Sequence, residues 1–167
     1  MSNLIMARDT YKQLFQNSPI PMYIYEEKTY GFCAVNEAAL RQYGYSEADF
    51  LGMKATDIRP AEDIEMFCHA NRDVPQRYID FGHWRHVKKS GEVFYVQIYA
   101  HTIKLKGKKA RLVLAVDIDA KVRTESELEK KDLEIASILE SITDGFYALN
   151  RCWKVTYFNK KAEQVLG

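Results

Sequence analysis

The chain has 167 residues, a length that suits one domain with a hydrophobic core or slightly more. Hydrophobic residues make up 47% and charged residues 28%, the ordinary balance of a soluble globular protein. The formal net charge is only +1, so the charge favours neither nucleic acid nor an anionic membrane surface as a partner.

The N-terminal part of the chain predicts short helices and strands in alternation. Residues 7–17 place Tyr11, Leu14 and Phe15 on one face of an amphipathic helix, which Pro19 ends. Asn36 and Ser46 are residue types that cap helices. The elements predicted next are strands at Pro21–Tyr25 and Tyr30–Val35 and helices at Asn36–Gly44, Ser46–Gly52 and Asp63–Asn71.

Beyond residue 78 the hydrophobic pattern changes to the period of two that is typical of strands. Turns are predicted at Gly91 and at Lys106–Lys109. In the predicted strand Glu92–Ile103, apolar residues alternate with polar or aromatic ones. The residues expected to face the core are Phe94, Val96, Ile98 and Ala100. The predicted strands are Phe81–Val87, Glu92–Ile103 and Arg111–Asp117. The whole pattern predicts an α+β fold with a five-stranded antiparallel sheet and short helices on one face.

Residues 119–141 contain no Gly or Pro and are rich in Glu, Lys and Leu, which predicts one long helix. The heptad spacing is carried by Leu128, Ile135 and Ile142, which stand seven residues apart, with Ile138 at the matching d position. The earlier d positions hold the polar residues Thr124 and Lys131. This weak heptad pattern fits a coiled coil between two copies. A solvated spacer is the alternative.

The end of the chain repeats an earlier segment. A shift of 123 positions places Tyr30 on Trp153, Val35 on Phe158, Asn36 on Asn159, Ala39 on Ala162 and Gly44 on Gly167 without a gap. The same shift places Ser18 on Ser141 and Tyr23 on Phe146. We therefore expect one complete unit, a connector and the opening of a second unit.

Four segments together resemble a PAS domain, the sensory module of bacterial signalling proteins. They are LFQNSPIPMYIY, AVNEAALRQYGYSEADFLG, GHWRHVKKSGEVFYVQI and LAVDIDAKVRTESELEKK, and they cover roughly residues 10–125. Asp117, Ile118 and Asp119 match a signal junction at which this family usually has Asp-Ile-Thr. Since Asp can also cap a helix, we expect the junction to form with Asp119 in place of the usual Thr.

The resemblance implies a sensory and dimerisation domain at 19–118, with an N-terminal helix at 1–18. It implies a signalling helix at 119–141 and a truncated second PAS domain at 142–167. The parent protein is expected to be a sensor histidine kinase of a two-component phosphorelay, with the kinase as output partner. The chain has no signal-peptide pattern and no apolar run near the ~20 residues of a membrane helix. We expect a cytoplasmic location, which a membrane-anchored parent would also allow.

No catalytic motif is present, so we expect this chain not to be an enzyme. We expect the PAS-like cavity to be empty or to hold a small organic ligand. Haem and flavin are alternatives that the sequence leaves open. His69 lies where haem-binding relatives place an axial ligand. Cys68 lacks the Asn-Cys-Arg-Phe run that a photoactive flavin needs. The candidate pocket residues are Ile24, Leu40, Ile58, Phe67, Trp84, Ile98 and Val113.

The remaining histidines and cysteines give no metal site. His83 and His86 point to opposite faces of one strand, whereas His83 and His101 could meet across strands without a carboxylate. The three cysteines form no C-x-x-C pair.

A homodimer is expected because aromatic residues are enriched at interfaces. Its candidate residues are Tyr11, Leu14, Phe15, Tyr95 and Tyr99. A ligand-free interaction scaffold is a further alternative.

Overall fold

The protein is described from a computed structural model, which covers residues 10, 12–72, 78–142 and 144–166. Tyr11 therefore lies outside the described residues. The chain divides into two compact units, Met1–Asp119 (unit 1) and Ala120–Gly167 (unit 2).

Unit 1 contains a five-stranded antiparallel sheet, which confirms the predicted fold class. Its strands are β1 (Met22–Glu26), β2 (Phe32–Val35), β3 (Ile79–Val87), β4 (Val93–Leu105) and β5 (Lys108–Asp117). The spatial order is β2-β1-β5-β4-β3, so the first and last strands of the unit pair at the centre of the sheet. The β4–β5 hairpin turns at Lys106 and Gly107, which both have positive φ.

Short helices connect β2 to β3. They are α1 (Glu37–Tyr43), α2 (Glu47–Gly52), a 3₁₀ turn (Ala61–Asp63) and α3 (Ile64–Ala70). Asn36 caps α1 by accepting a hydrogen bond from Ala39 N, and Ser46 caps α2 by accepting one from Asp49 N. Gly44 ends α1 with φ 77°, a left-handed conformation that glycine adopts without strain. The predicted caps are confirmed.

The core of unit 1 lies between the sheet and these helices and is rich in aromatic residues. Alternation along β4 buries Phe94, Val96, Ile98 and Ala100, as predicted. On β1 the same alternation buries Tyr23 and Tyr25. Tyr23 packs edge-on against Phe32 and Tyr43.

Unit 2 contains most of the long predicted helix and a two-stranded sheet. The helix α4 runs over Asp119–Ser141 and is followed by β6 (Tyr147–Leu149), β7 (Val155–Phe158) and α5 (Lys160–Leu166). Leu128, Leu133, Ile135 and Ile138 are all exposed on α4. Among the described residues, no helix is both long and apolar enough to cross a membrane.

The predicted alignment of the repeat is confirmed from Tyr30 onward. Upstream of the turn that precedes Tyr30, the predicted alignment is wrong by one residue. Val35 pairs with Tyr23, and its counterpart Phe158 pairs with Tyr147 rather than Phe146. Ser18 likewise corresponds to Ile142, because the amide of Asn36 donates to Ser18 O and that of Asn159 to Ile142 O. The reason is that the turn before Trp153 is one residue shorter than the turn before Tyr30.

Candidate functional site

A small cavity lies inside unit 1 between the sheet and α3. Its volume is about 10 Å³, roughly the space of one water molecule. The lining residues are mostly apolar or aromatic: Tyr25, Arg59, Phe67, Asn71, Phe81, Trp84, Ile98, Ala100 and Val113. The side chains of the core therefore fill most of the space where a ligand would lie.

A bulge in β3 shapes one wall of the cavity. The register between β3 and β4 shifts between Asp80 and Gly82, and Gly82 has φ 75°. Gly82 N donates to Asp80 Oδ1 at 2.8 Å, which fixes the bulge. The bulge brings Phe81 to the cavity, where its carbonyl accepts the Trp84 indole N–H at 3.0 Å.

Among the described residues that line the cavity, Arg59 is the one with a cationic side chain, and it is only 7% exposed. Its guanidinium lies 3.7 Å from the centre of the Phe67 ring, a cation–π contact. Nη1 donates to the carbonyl of Ala55. Nε is buried and has no hydrogen-bond partner among the described residues.

A second buried arginine lies on β5 beside Tyr25. Arg111 is 1% exposed, and its Nη2 donates to Glu27 Oε1 at 2.8 Å in a partly buried ion pair. Its Nε and Nη1 have no partner. Burial raises the pKa of the Tyr25 hydroxyl, although the charges of Arg111 and Arg59 lower it. Both cations thus act on the same tyrosine.

The other polar side chains of the cavity are paired. The Tyr25 hydroxyl donates to Asn71 Oδ1 at 2.7 Å, and Asn71 Nδ2 donates to Phe67 O at 2.9 Å. These bonds hold the end of α3 against β1. Of the lining residues that the structure describes, Arg59 is the one with a buried side-chain nitrogen that has no hydrogen-bond partner.

His86 forms a separate buried pair with Tyr43 deeper in the core. The Tyr43 oxygen lies 2.6 Å from His86 Nδ1, and Nε2 has no partner. Burial, and then the charge of Arg59, lower the pKa of His86 well below its usual value. The lowered pKa favours the neutral imidazole, and the tautomer sets which of the two groups donates in the hydrogen bond between Nδ1 and the Tyr43 oxygen.

The predicted signal junction is a set of hydrogen bonds where β5 ends and α4 begins. Asp117 accepts from Asp119 N at 2.9 Å and from Gln42 Nε2 of α1 at 3.3 Å. Ile118 N donates to Tyr95 O at 3.0 Å, and Tyr95 N donates to Asp119 Oδ1 at 3.3 Å. Asp119, the first residue of α4, is thereby hydrogen-bonded to β4 and β5, and Asp117 in turn joins β5 to α1.

The sequence profile of the PAS domain family matches residues 20–120, and a second PAS profile matches residues 134–167. The chain belongs to the PAS domain family. The first match covers the sheet, the cavity and the junction, and the second begins within α4.

One curated relative is the methyl sulfide methyltransferase-associated sensor of Methanosarcina acetivorans, 26% identical over 151 residues. The match covers 83% of this chain but only 15% of that protein. Among solved structures, a PAS domain of an HTR-like protein from Haloarcula marismortui aligns with a TM-score of 0.61 at 20% identity. That alignment covers 70% of this chain and 96% of the other. A PAS domain from a two-component sensor histidine kinase aligns with a TM-score of 0.56 at 20% identity over 70% and 99% of the two chains.

Four of the seven predicted pocket residues line the PAS cavity, namely Phe67, Trp84, Ile98 and Val113. Ile24 does not, because alternation on β1 turns Tyr23 and Tyr25 to the core and Ile24 to the other face. Ile58 is fully buried and Leu40 partly buried in the core, but neither lines the cavity.

Three polar or cationic lining residues were missed: Tyr25, Arg59 and Asn71. The alternation of β1 could have identified Tyr25. Arg59 lies between Ile58 and Pro60 in a loop without periodicity, so no sequence signal marks it as buried.

The predicted haem ligand is not at the cavity. His69 is exposed on α3, whereas Phe67 of the same helix faces inward. His83 is exposed and His86 buried on β3, as expected. His83 and His101, which could have met across strands, do not lie opposite each other, since His83 pairs with Gln97 and His101 pairs with Leu112. Among the described residues, no three His, Cys, Asp or Glu side chains cluster as a metal site would require.

The predicted dimer residues lie at the surface of unit 1 where they are described. Leu14 is 66% exposed, and Phe15 is partly buried. Tyr95 is exposed on β4, and Tyr99 stacks on Tyr78 with ring centres 5.8 Å apart.

Proposed function

We propose that this chain is an intracellular PAS sensory and dimerisation module that passes a signal through α4 to an output domain. The output is a histidine kinase of a two-component phosphorelay, and the chain itself has no catalytic activity. The module acts in the cytoplasm as a homodimer. Relatives named as a sensor and as a sensor histidine kinase support this proposal.

The observation that carries the proposal is the junction between β5 and α4. Asp117 accepts hydrogen bonds from both α1 and the first residue of α4, so a shift of α1 changes the environment of the helix start. Tyr95 holds the same point through its amide and its carbonyl. A change in the core of the PAS domain therefore has a direct route to α4.

Dimerisation through α4 is supported by its exposed hydrophobic residues. Leu128 and Ile135 share one heptad position, and Ile138 lies on the same stripe. Their exposed fractions are 61%, 55% and 56%. Two α4 helices packed along this stripe would bury these side chains, and two alternative packings would give the two signalling states.

The test is a chimera in which this chain replaces the PAS domain of a histidine kinase, with α4 joined to the kinase helix in each heptad phase. We expect autophosphorylation to rise and fall with the phase of the joint. Asp117→Ala should change which heptad phases of the joint give an active kinase. Lys121→Ala, which alters an exposed pair with Glu125, should not. Equal activity in every phase, with no effect of Asp117→Ala, would contradict the proposal.

A ligand-free interaction module is the second candidate function. It is favoured by the cavity volume of about 10 Å³, since small-molecule sites typically measure about 300–1,000 Å³. In that case partner binding at the surface of unit 1 would supply the signal. Visible absorption before and after incubation with haemin and flavin nucleotides separates both candidates from a redox sensor, which would show one cofactor band per chain.

A further inference from the structure

We propose that a groove on the outer face of the sheet, the face turned away from the helices, binds a small carboxylate with an apolar tail. The groove lies at the tip of the β4–β5 hairpin beside β1 and β2, and we call it the hairpin groove. Its volume is about 410 Å³, within the range of about 300–1,000 Å³ that is typical of small-molecule sites. None of its described lining residues also lines the PAS cavity. The proposal is independent of signal transfer through α4, which the kinase chimera tests separately.

Alternation along β1 forms the apolar floor of the hairpin groove. Tyr23 and Tyr25 face the core, so Ile24 between them lies on the outer face, where it pairs with Ala34 of β2. Leu105 of β4 supplies the adjoining wall. Ile24, Ala34 and Leu105 are all partly exposed. A hydrocarbon tail in the groove would remove their remaining apolar surface from water, which favours binding.

The charged residues that line the hairpin groove give it an excess of positive charge. They are Lys106, Lys108 and Glu26. Glu26 forms an ion pair with Lys108 at 3.1 Å. Among the described residues, no carboxylate forms an ion pair with Lys106. The two cations and the one carboxylate leave a single positive charge, which complements a monoanion.

The backbone at Lys106 is a further argument for a role of this side chain. Lys106 has φ 48° and is followed by Gly107 with φ 80°, so both residues of the turn are left-handed. Such turns favour Asn or Gly at the first position, because longer side chains are strained there. The strained residue is a lysine, which places an ammonium group at the groove. Strained backbone positions cluster at functional sites.

The two parts of the ligand contribute differently to binding. Lys106 is exposed and the Lys108 side chain is 69% exposed, and ion pairs between exposed groups are weak. Burial of the tail against Ile24 and Leu105 therefore supplies most of the affinity. The carboxylate supplies a modest preference over an uncharged ligand of the same shape.

Cys33 provides a reporter of occupancy within the hairpin groove. The register between β1 and β2 shifts beside it, and its thiol is exposed and lines the groove. Cys152 of unit 2 is also exposed. A ligand in the groove should therefore shield Cys33 from a thiol reagent and leave Cys152 reactive.

The experiment measures alkylation of the 167-residue chain by iodoacetamide, an uncharged reagent, at constant pH and ionic strength. Octanoate, octanamide and acetate are the probes, and peptide mass spectrometry follows each cysteine. We expect octanoate to slow the alkylation of Cys33 saturably, with half-protection at a concentration about threefold or more below that of octanamide. Acetate, which has no tail, should not protect Cys33. None of the probes should change the alkylation of Cys152.

Lys106→Asn should remove the preference for octanoate over octanamide without lowering stability, because Asn tolerates the left-handed backbone. Lys109→Gln is the matched control and should keep the preference, since Lys109 is an exposed lysine of the same hairpin that does not line the groove. No protection of Cys33, equal protection by acid and amide, or a preference that survives Lys106→Asn would overturn the inference. Protection that follows the protein concentration instead of the octanoate concentration would also overturn it, because a second copy would then cover the groove.

Discussion

The two units contain the same asparagine clasp in different surroundings. Asn36 accepts from Met22 N and Ala39 N, and Asn159 accepts from Phe146 N and Ala162 N, all at 2.8–2.9 Å. Each amide group also donates to three backbone carbonyls upstream, those of Phe15, Ser18 and Ile20 in unit 1 and of Leu139, Ile142 and Asp144 in unit 2. Both asparagines are 0% exposed.

The strands beside the two clasps differ sharply in burial. Tyr23, Tyr25 and Phe32 of unit 1 are 0%, 2% and 6% exposed. Their counterparts Tyr147, Leu149 and Val155 in unit 2 are 53%, 40% and 46% exposed. In unit 1, β1 pairs with both β2 and β5. Among the described residues of unit 2, β6 pairs with one strand, β7. The clasp thus forms from local sequence, while burial of the sheet face requires further strands and helices.

The largest expected effect compares two counterparts on that face. Phe32→Ala should lower the free energy of unfolding of unit 1 by about 3–5 kcal/mol, because it leaves a cavity among buried rings. Val155→Ala should change the free energy of unfolding of unit 2 by about 0.5 kcal/mol or less, since the Val155 side chain is largely exposed. Urea denaturation followed by tryptophan fluorescence measures the unfolding of unit 1. Trp84 is 8% exposed, so its surroundings change on unfolding, whereas Trp153 is already 83% exposed. Equal losses in the two variants would contradict the comparison.

The next pair removes the clasps themselves. Asn36→Ala should destabilise unit 1 by about 2–4 kcal/mol, because buried backbone donors and carbonyls lose their partner. Asn159→Ala should leave the Trp84 transition unchanged, since its described hydrogen bonds all lie within residues 139–162. A shift of the Trp84 transition in Asn159→Ala would show that the clasps are not independent.

A pH titration separates the units further, because all four histidines lie in unit 1. His86 has a lowered pKa in the folded state, so below pH ~6.5 the unfolded chain binds more protons. Stability should therefore fall with pH below that point, by up to about 1.4 kcal/mol per unit. His86→Gln should remove this dependence and His69→Gln, at an exposed position, should retain it. Urea midpoints between pH 5 and 8 provide the measurement; an unchanged slope in His86→Gln would refute the assignment.

The smallest expected effect on folding concerns the surface of α4. Leu128→Asp with Ile135→Asp should convert a dimer to a monomer while the Trp84 transition stays within about 0.5 kcal/mol of the parent. Leu133→Asp is the matched control, because Leu133 is 71% exposed but lies off the heptad stripe. Light scattering gives the mass. A dimer that persists in the double variant, or dissociates in the control, would rule out this interface.

Much of the fold could be predicted because local chemistry determines it. Asn36, Ser46 and Gly44 bound the helices as expected from their capping geometry. The upstream register of the repeat could not be read, because Ser18 and Ser141 match by chance across a turn that is one residue shorter. Both turns close alike, with Tyr30 N bonded to Glu26 O and Trp153 N to Asn150 O.

The polar part of the candidate site was not predictable from pattern. Phe67, Trp84, Ile98 and Val113 follow the period of their elements, and the structure places them at the cavity. Arg59 is a cation in an irregular loop, and tertiary contacts such as the Phe67 ring of α3 surround it in the folded chain. Burial of a charge is decided by tertiary contacts, which the hydrophobic period does not report.

Amide hydrogen exchange across the junction of β5 and α4 tests most directly whether this junction attaches α4 to the PAS domain. Asp117→Ala removes the acceptor of Asp119 N and of Gln42 Nε2. We predict faster exchange at Ile118 and through the first turns of α4, with unchanged exchange at the centre of β4 and with Lys121→Ala like the parent chain. Unchanged exchange in α4 would contradict the claim that this junction attaches the helix to the PAS domain.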